Sequence, residues 1–97
     1  MRTVVKEEPV ADFIDREAEH HPRLWDVIRG LEWLLSREPR QEAAEKVPNS
    51  AELVGRPIYL IKTEDLRYYD AGPPLRLLYY FDAETVAFWG ISFDVSE

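Results

Sequence analysis

The segment from Pro74 to Phe93, PLRLLYYFDAETVAFWGISF, constrains the fold of this 97-residue chain more than any other stretch. Two runs rich in leucine, aromatic and β-branched residues, Leu75 to Phe81 and Val86 to Phe93, flank the polar sequence Asp82-Ala83-Glu84-Thr85, a connection of hairpin length. The pattern predicts two antiparallel strands. Pairing Phe81 with Val86 places Leu75, Leu77, Tyr79, Phe81, Val86 and Phe88 on one face, with Gly90 and Ser92 beside them. Arg76, Leu78, Tyr80, Ala87, Trp89 and Ile91 then share the other face, where Arg76 is the only charge. Neither face is polar enough to lie open to water. One is expected to meet helices, and the second to form a groove for a partner, a ligand or the C-terminal tail.

The residues before the hairpin supply the helices. Arg2 to Lys6 reads as a short edge strand, and Glu7-Glu8-Pro9 marks a helix start, with acidic residues where the helix dipole favours them. Val10, Phe13, Ile14 and Ala18 form its apolar stripe, and the helix is expected to end near His20. A second helix begins at Pro22 and ends near Arg37, before Pro39, with Leu24, Val27, Ile28, Leu31, Leu34 and Leu35 turned inward. Gly30 in its middle costs about 1 kcal/mol relative to alanine, for which a close approach to the first helix or to the sheet is the expected reason. Residues 40 to 56 read as a loop with at most one helical turn, Gln41 to Lys46. Pro57 to Lys62 reads as a third strand, which the connection Thr63 to Pro74 extends through Leu66-Arg67-Tyr68-Tyr69. The expected fold is α+β: a helical hairpin packed on an antiparallel sheet of three to four strands, in the order β-α-α-β-β-β, with Leu75 to Phe81 central.

Bulk composition narrows the function. At 45% hydrophobic residues, 97 residues suit one small domain spanning 1–97 with a single core. There is no cysteine, so neither a disulfide framework nor a thiolate metal site is available, in keeping with a reducing cytoplasm. No stretch approaches the length of a membrane span, and the first residues lack a signal-peptide core, so a soluble cytoplasmic protein without membrane attachment is expected. The net charge of -7 argues against bulk electrostatic binding of nucleic acid. Residues 57 to 97 carry three basic side chains, Lys62, Arg67 and Arg76, against seven acidic ones, so no basic patch is hidden in the sheet half.

Motifs for metal, nucleotide and serine-hydrolase chemistry are missing: there is no HExxH, GxxxxGK[ST], GxSxG or glycine-rich dinucleotide loop. No cofactor is expected. His20 and His21 are adjacent, and neighbours at a helix end point in different directions, so a solvated terminus is the expectation. Glu32, Glu38, Glu42 and Glu45 lie among Arg29, Arg37 and Arg40 as solvated charge. Trp25 and Trp33, eight residues apart, are expected at the edge of the core, an exposed binding ridge being the alternative. Lys62 and Arg76 converge on one sheet face beside Tyr80 and Trp89 if their strands are neighbours. Cations and aromatic planes together suit a nucleotide phosphate and its base. The competing reading pairs Arg76 with Glu64 or Asp65.

Two helices followed by an antiparallel sheet, with PPLRLLYYFDAETVAFWGI near the end, resemble the RelE/ParE family of toxins from type II toxin-antitoxin modules. The resemblance covers nearly the whole chain, and its most specific part is Arg76-Leu77-Leu78-Tyr79, similar to the family's Arg-x-x-Tyr strand, followed by Phe81, an acidic turn and the apolar strand from Val86. In the ribonuclease members the corresponding arginine and basic residues of the preceding strand stabilise charge on ribosome-bound mRNA. The resemblance thus implies catalytic roles for Arg76 and Lys62, with Tyr80 or Tyr69 as a partial substitute for the base. Ribonuclease members carry further basic residues and a Tyr or His after the last strand, whereas Ser92-Phe93-Asp94-Val95-Ser96-Glu97 offers neither. A lost base costs roughly 10²- to 10⁴-fold in rate. Three readings follow: an mRNA endonuclease that inhibits translation, a gyrase-poisoning toxin, and an inactive scaffold. The implied partner in each is a cognate antitoxin, with ribosome-bound mRNA added in the first.

Overall fold

The hairpin forms as the sequence predicts, and its turn is organised by one carboxylate. A computed structural model describes residues 1–66 and 74–94. Asp82 Oδ1 accepts the backbone N–H groups of Glu84 and Thr85, both at 2.8 Å, while the Asp82 N–H donates to the Thr85 carbonyl at 2.9 Å. These two bonds hold the Asp82 carboxyl below its ordinary range. The flanking strands run Leu75–Phe81 (β4) and Thr85–Phe93 (β5).

Around this hairpin lie strands β1 (Thr3–Lys6), β2 (Glu45–Lys46) and β3 (Tyr59–Lys62), and helices α1 (Glu8–Glu17), α2 (Leu24–Arg37) and α3 (Ser50–Val54). The sheet order is β1-β5-β4-β3-β2, with β4 in the centre. The architecture is α+β, with two corrections to the expected sheet. It has five strands, because the residues read as a loop contribute β2 and α3. It is also mixed, because β1 pairs with β5 in parallel, from Thr3 opposite Thr85 to Lys6 opposite Phe88. Two charged residues at a sheet edge and a five-residue helix are too short to show a period, which is why pattern alone passes over them. Strand β3 starts at Tyr59 rather than Pro57 and gives way to a 3-10 turn at Thr63–Asp65, so Leu66 does not continue it. The rest of the expected extension, Arg67 to Tyr69, lies outside the described residues.

A β-bulge corrects the predicted faces. Phe81 pairs with Val86, and Tyr79 with Phe88, but the next pair is Leu78 with Gly90, leaving Trp89 as an extra residue on β5. Beyond it the alternation is reversed: Ile91 lies opposite Leu77 and Phe93 opposite Leu75, on the helix side, while Gly90 and Ser92 join Leu78 and Arg76 on the open side. Both Ile91 and Phe93 pack against the core. Phe93 packs against Phe13 in a tilted arrangement, ring centroids 5.0 Å apart and planes at 56°.

The core is the space between the helices and one sheet face. Val10, Phe13 and Ile14 of α1 and Leu24, Ile28, Leu31 and Leu35 of α2 meet Ile61, Leu75, Leu77, Tyr79, Val86 and Phe88. Helix α2 begins at Leu24, whose N–H donates to the His21 carbonyl at 2.9 Å, and Val27 packs at the margin of the core. Its apolar positions 24, 28, 31 and 35 follow the helical period. Gly30 is exposed, and an added Cβ would meet nothing within 4 Å, so the expected close approach to α1 or the sheet is not made. The Tyr79 ring is fully buried and its hydroxyl donates to the Pro39 carbonyl, which fastens the chain after α2 to the sheet. No helix among the described residues is long and apolar enough to cross a membrane.

Two substitutions test this packing. Leu77→Ala is expected to lower the unfolding free energy by ~2 to 5 kcal/mol in urea melts, since Leu77 is wholly enclosed. Tyr79→Phe keeps the ring and strands the Pro39 carbonyl, so a loss of ~1 to 3 kcal/mol is expected. A Leu77→Ala loss below ~1 kcal/mol would contradict the assigned register.

Candidate functional site

The sheet face turned away from α1 and α2 gathers the polar chemistry of the chain, in two separate clusters. Lys62 on β3 is the direct register partner of Arg76 on β4, so the predicted convergence of two cations is present. The Arg76 Nε donates to Asp94 Oδ1 at 2.9 Å, with the arginine side chain 46% exposed and the aspartate only 10%. Asp94 is itself held in place by its N–H bond to the Pro74 carbonyl at 2.9 Å. Arg76 therefore pairs with Asp94, and not with Glu64 or Asp65. Lys62 has no ion-pair partner among the described residues.

Tyr80 belongs to the other cluster, which corrects the expectation that it stands beside Lys62 and Arg76. Four residues along an extended strand separate it from Arg76, about 13 Å. Leu78 intervenes. The Arg56 guanidinium covers the Tyr80 ring, Cζ 4.3 Å from the centroid, and the Glu7 carboxylate acts on the Tyr80 phenol from the same side. Burial, then the Glu7 hydrogen bond and charge, push the phenol above its ordinary value, with Arg56 acting in the opposite direction. Glu7 Oε2 is buried with no hydrogen-bond partner among the described residues. Glu7 reaches this position because its N–H bonds the Phe88 carbonyl at 3.0 Å, prolonging the β1–β5 ladder by one residue before α1 starts.

Chemically, the Lys62–Arg76 end can bind an anion, although Asp94 already neutralises one of its two charges. The Tyr80 end is a poor general base, because a phenol whose pKa is raised holds its proton near neutral pH. Tyr69 lies outside the described residues. No cluster of three His, Cys, Asp or Glu side chains among the described residues could hold a metal ion. His20 contacts Glu19 at 3.4 Å, whereas His21 is half-buried, its ring 4.7 Å from that of Phe93. A shallow cleft lined by Gln41, Glu42, Ala43, Glu45, Asp65 and Leu66 is acidic and repels phosphate.

Sequence reasoning missed Glu7, Arg56 and Asp94. Glu7 reads as a helix-start acid, and Arg56 lies in a segment without periodicity. Asp94 follows the last strand, and only the bulge brings its carboxylate to Arg76. Trp25 and Trp33 depart from the expected core edge: they are 38% and 59% exposed on the outer side of α2.

Both Tyr79 and Tyr80 have phenols raised above their ordinary value of 10.0. Their contribution to stability is fully present below that value and is lost as pH rises through the higher folded-state values. Unfolding free energy is therefore expected to fall above pH ~10. Removing the Glu7 charge by Glu7→Gln is expected to lower the Tyr80 titration midpoint, followed by ultraviolet absorbance in a Tyr79→Phe background. An unchanged or higher midpoint would exclude the Glu7 contact.

No protein-family model matches this chain, and neither a curated protein nor a solved structure matches it.

Proposed function

We propose that the chain is a toxin-like component of a type II toxin-antitoxin module, of RelE/ParE type, and that it acts by binding through its open sheet face. The resemblance around Arg76-Leu77-Leu78-Tyr79 supports the family, and the α+β architecture with β4 at the centre of the sheet is compatible with it. The observation that carries the binding mode is the separation of the polar groups. Arg76 is held by Asp94, and Tyr80, with its raised phenol, sits two same-face positions away. Cleavage next to a 2′-hydroxyl needs a base and charge stabilisation at one phosphate, within hydrogen-bond reach of each other. A binding surface needs only complementarity. Leu60 and Leu78 give it an apolar middle between the two polar ends, suited to an antitoxin segment that folds as it docks.

One observation favours the second reading, a ribosome-dependent mRNA endonuclease: Lys62 and Arg76 are direct neighbours on the open face, and together they fit a phosphate.

Expression of the wild-type chain separates these readings. Growth arrest without cleavage of ribosome-bound mRNA, relieved by co-expression of the cognate antitoxin, is the expected result. Under the endonuclease reading mRNA is cut on ribosomes, and Arg76→Ala removes roughly 3 to 4 kcal/mol of transition-state stabilisation, enough to abolish arrest in a folded protein. Absence of arrest at every expression level, with folding verified by circular dichroism, would overturn both active readings and leave a scaffold. If arrest occurs with intact mRNA, plasmid supercoiling tests gyrase as the target.

A further inference from the structure

The open sheet face carries a row of donors drawn from adjacent strands. Lys62 on β3 lies opposite Arg76 on β4, and Arg76 lies opposite Ser92 on β5, so an ammonium, a guanidinium and an exposed hydroxyl stand side by side. Neighbouring strands are about 4.8 Å apart, close enough for two long side chains in such a row to meet on one phosphate. The structure holds the two cations apart instead. Arg76 Nε donates to Asp94 Oδ1 at 2.9 Å. Asp94 follows the end of β5 and is tied by its N–H to the Pro74 carbonyl at 2.9 Å, so its carboxylate engages Arg76 from the β5 side of β4. Lys62 lies on the opposite side, on β3. Asp94 thereby draws the guanidinium away from Lys62 and relieves the repulsion between like charges that are direct cross-strand neighbours. The partners of this bond are unequally placed: the Asp94 side chain is largely covered, whereas the Arg76 side chain is nearly half exposed. The carboxylate is the fixed half of the pair and the arginine the movable half.

We propose that Asp94 is an internal competitor for the phosphate site formed by Lys62 and Arg76, a contact that keeps the site closed until a phosphate-bearing ligand takes the arginine from it. This rests on the reading of the two cations as a phosphate site and adds how that site is controlled. Opening is the movement of one side chain. The guanidinium leaves the β5 side and turns toward Lys62, where a single phosphate screens both cations from each other, as Asp94 does by holding one of them aside.

The same contact gives the site a preference. A carboxylate ligand offers Arg76 only what Asp94 already supplies from a tethered position, and tethering favours the internal group. A phosphate has enough acceptor oxygens to serve Arg76, Lys62 and Ser92 together, which Asp94 does not do. The site therefore selects phosphates over carboxylates. The fold does not depend on the Asp94 charge: Asp94→Asn keeps the side-chain shape and the N–H bond to Pro74, and a partly exposed ion pair contributes little to stability.

Binding of inorganic phosphate and of a short oligouridylate to the full chain, followed by nuclear magnetic resonance at about 0.1 M ionic strength, tests the proposal. Asp94→Asn is expected to tighten binding about three- to fivefold, and Asp94→Ala by at least as much, with circular dichroism unchanged. Asp15→Asn removes the same charge from the exposed side of α1 and is expected to change affinity by less than about twofold. The Arg76 Nε–H resonance is expected to move when phosphate is added to the wild type, to be displaced already in Asp94→Asn, and to stay in place when acetate is added. A response to the oligonucleotide as strong as that to inorganic phosphate supports displacement by a nucleic-acid backbone, and a response to inorganic phosphate alone supports displacement by free phosphate. A wild-type chain that binds phosphate while Asp94→Asn binds no tighter overturns the competitor and leaves the phosphate site standing. Weaker binding by Asp94→Asn also overturns it, and makes Asp94 a residue that orients Arg76 for its ligand. A gain equalled by Asp15→Asn reduces the effect to net charge and overturns it as well. Binding by neither the wild type nor either Asp94 variant removes the phosphate site itself, and with it the reading on which the proposal rests.

Discussion

A methyl group on Gly90 would stand 3.3 Å from Leu78 Cδ1, and beside that close approach Trp89 has no partner on the neighbouring strand. The contents of both sheet faces depend on this one irregularity. Before the bulge, Val86 and Phe88 fill the core by ordinary alternation. After it, Ile91 and Phe93 turn to the same side and close the far end of the core against Phe13. Without the extra residue, Ile91 would project from the open face and Ser92 would enter the core. The glycine permits the crowding, and the bulge re-aims the rest of the strand.

Much of this arrangement was legible because strong periodic signals are local. The Phe81–Val86 register, the span of β4 and its central place follow from two apolar runs and a polar connection. Both long helices follow from stripes such as Leu24, Ile28, Leu31 and Leu35. The bulge was not legible, because a one-residue insertion leaves composition intact and shows only in which residues lie opposite one another. Nor was the parallel direction of β1, since Thr3 to Lys6 reads the same whichever way its neighbour runs. For the candidate site, the Lys62–Arg76 adjacency was available from strand order. Its neutralisation by Asp94 and the grouping of Tyr80 with Glu7 and Arg56 were not, because those contacts join residues from segments without a pattern.

Electrostatics divide the surface in a way the net charge conceals. An acidic chain would be expected to spread its few cations among its many acids. Here several arginines lie instead on aromatic rings: Arg2 and Arg40 over Phe81, Arg56 over Tyr80, Arg29 over Trp25 and Arg37 over Trp33. A guanidinium on a ring keeps its charge while its apolar faces are covered, so these positions stay available to anions or to a partner's side chains. The Arg76–Asp94 pair is the exception on the open face.

The ladder between β1 and β5 has a temporal consequence. Thr3 pairs with Thr85, and the Arg2 side chain reaches the Asp82 carbonyl across 80 positions of sequence. During synthesis, α1 and α2 leave the ribosome long before the strands that cover their apolar stripes. Contacts of such long sequence separation close slowly, because loop entropy is lost before the packing is gained. The nascent chain therefore carries uncovered Val10, Ile14, Ile28 and Leu35 until the final strand emerges, an interval in which holding chaperones would have their main access to it.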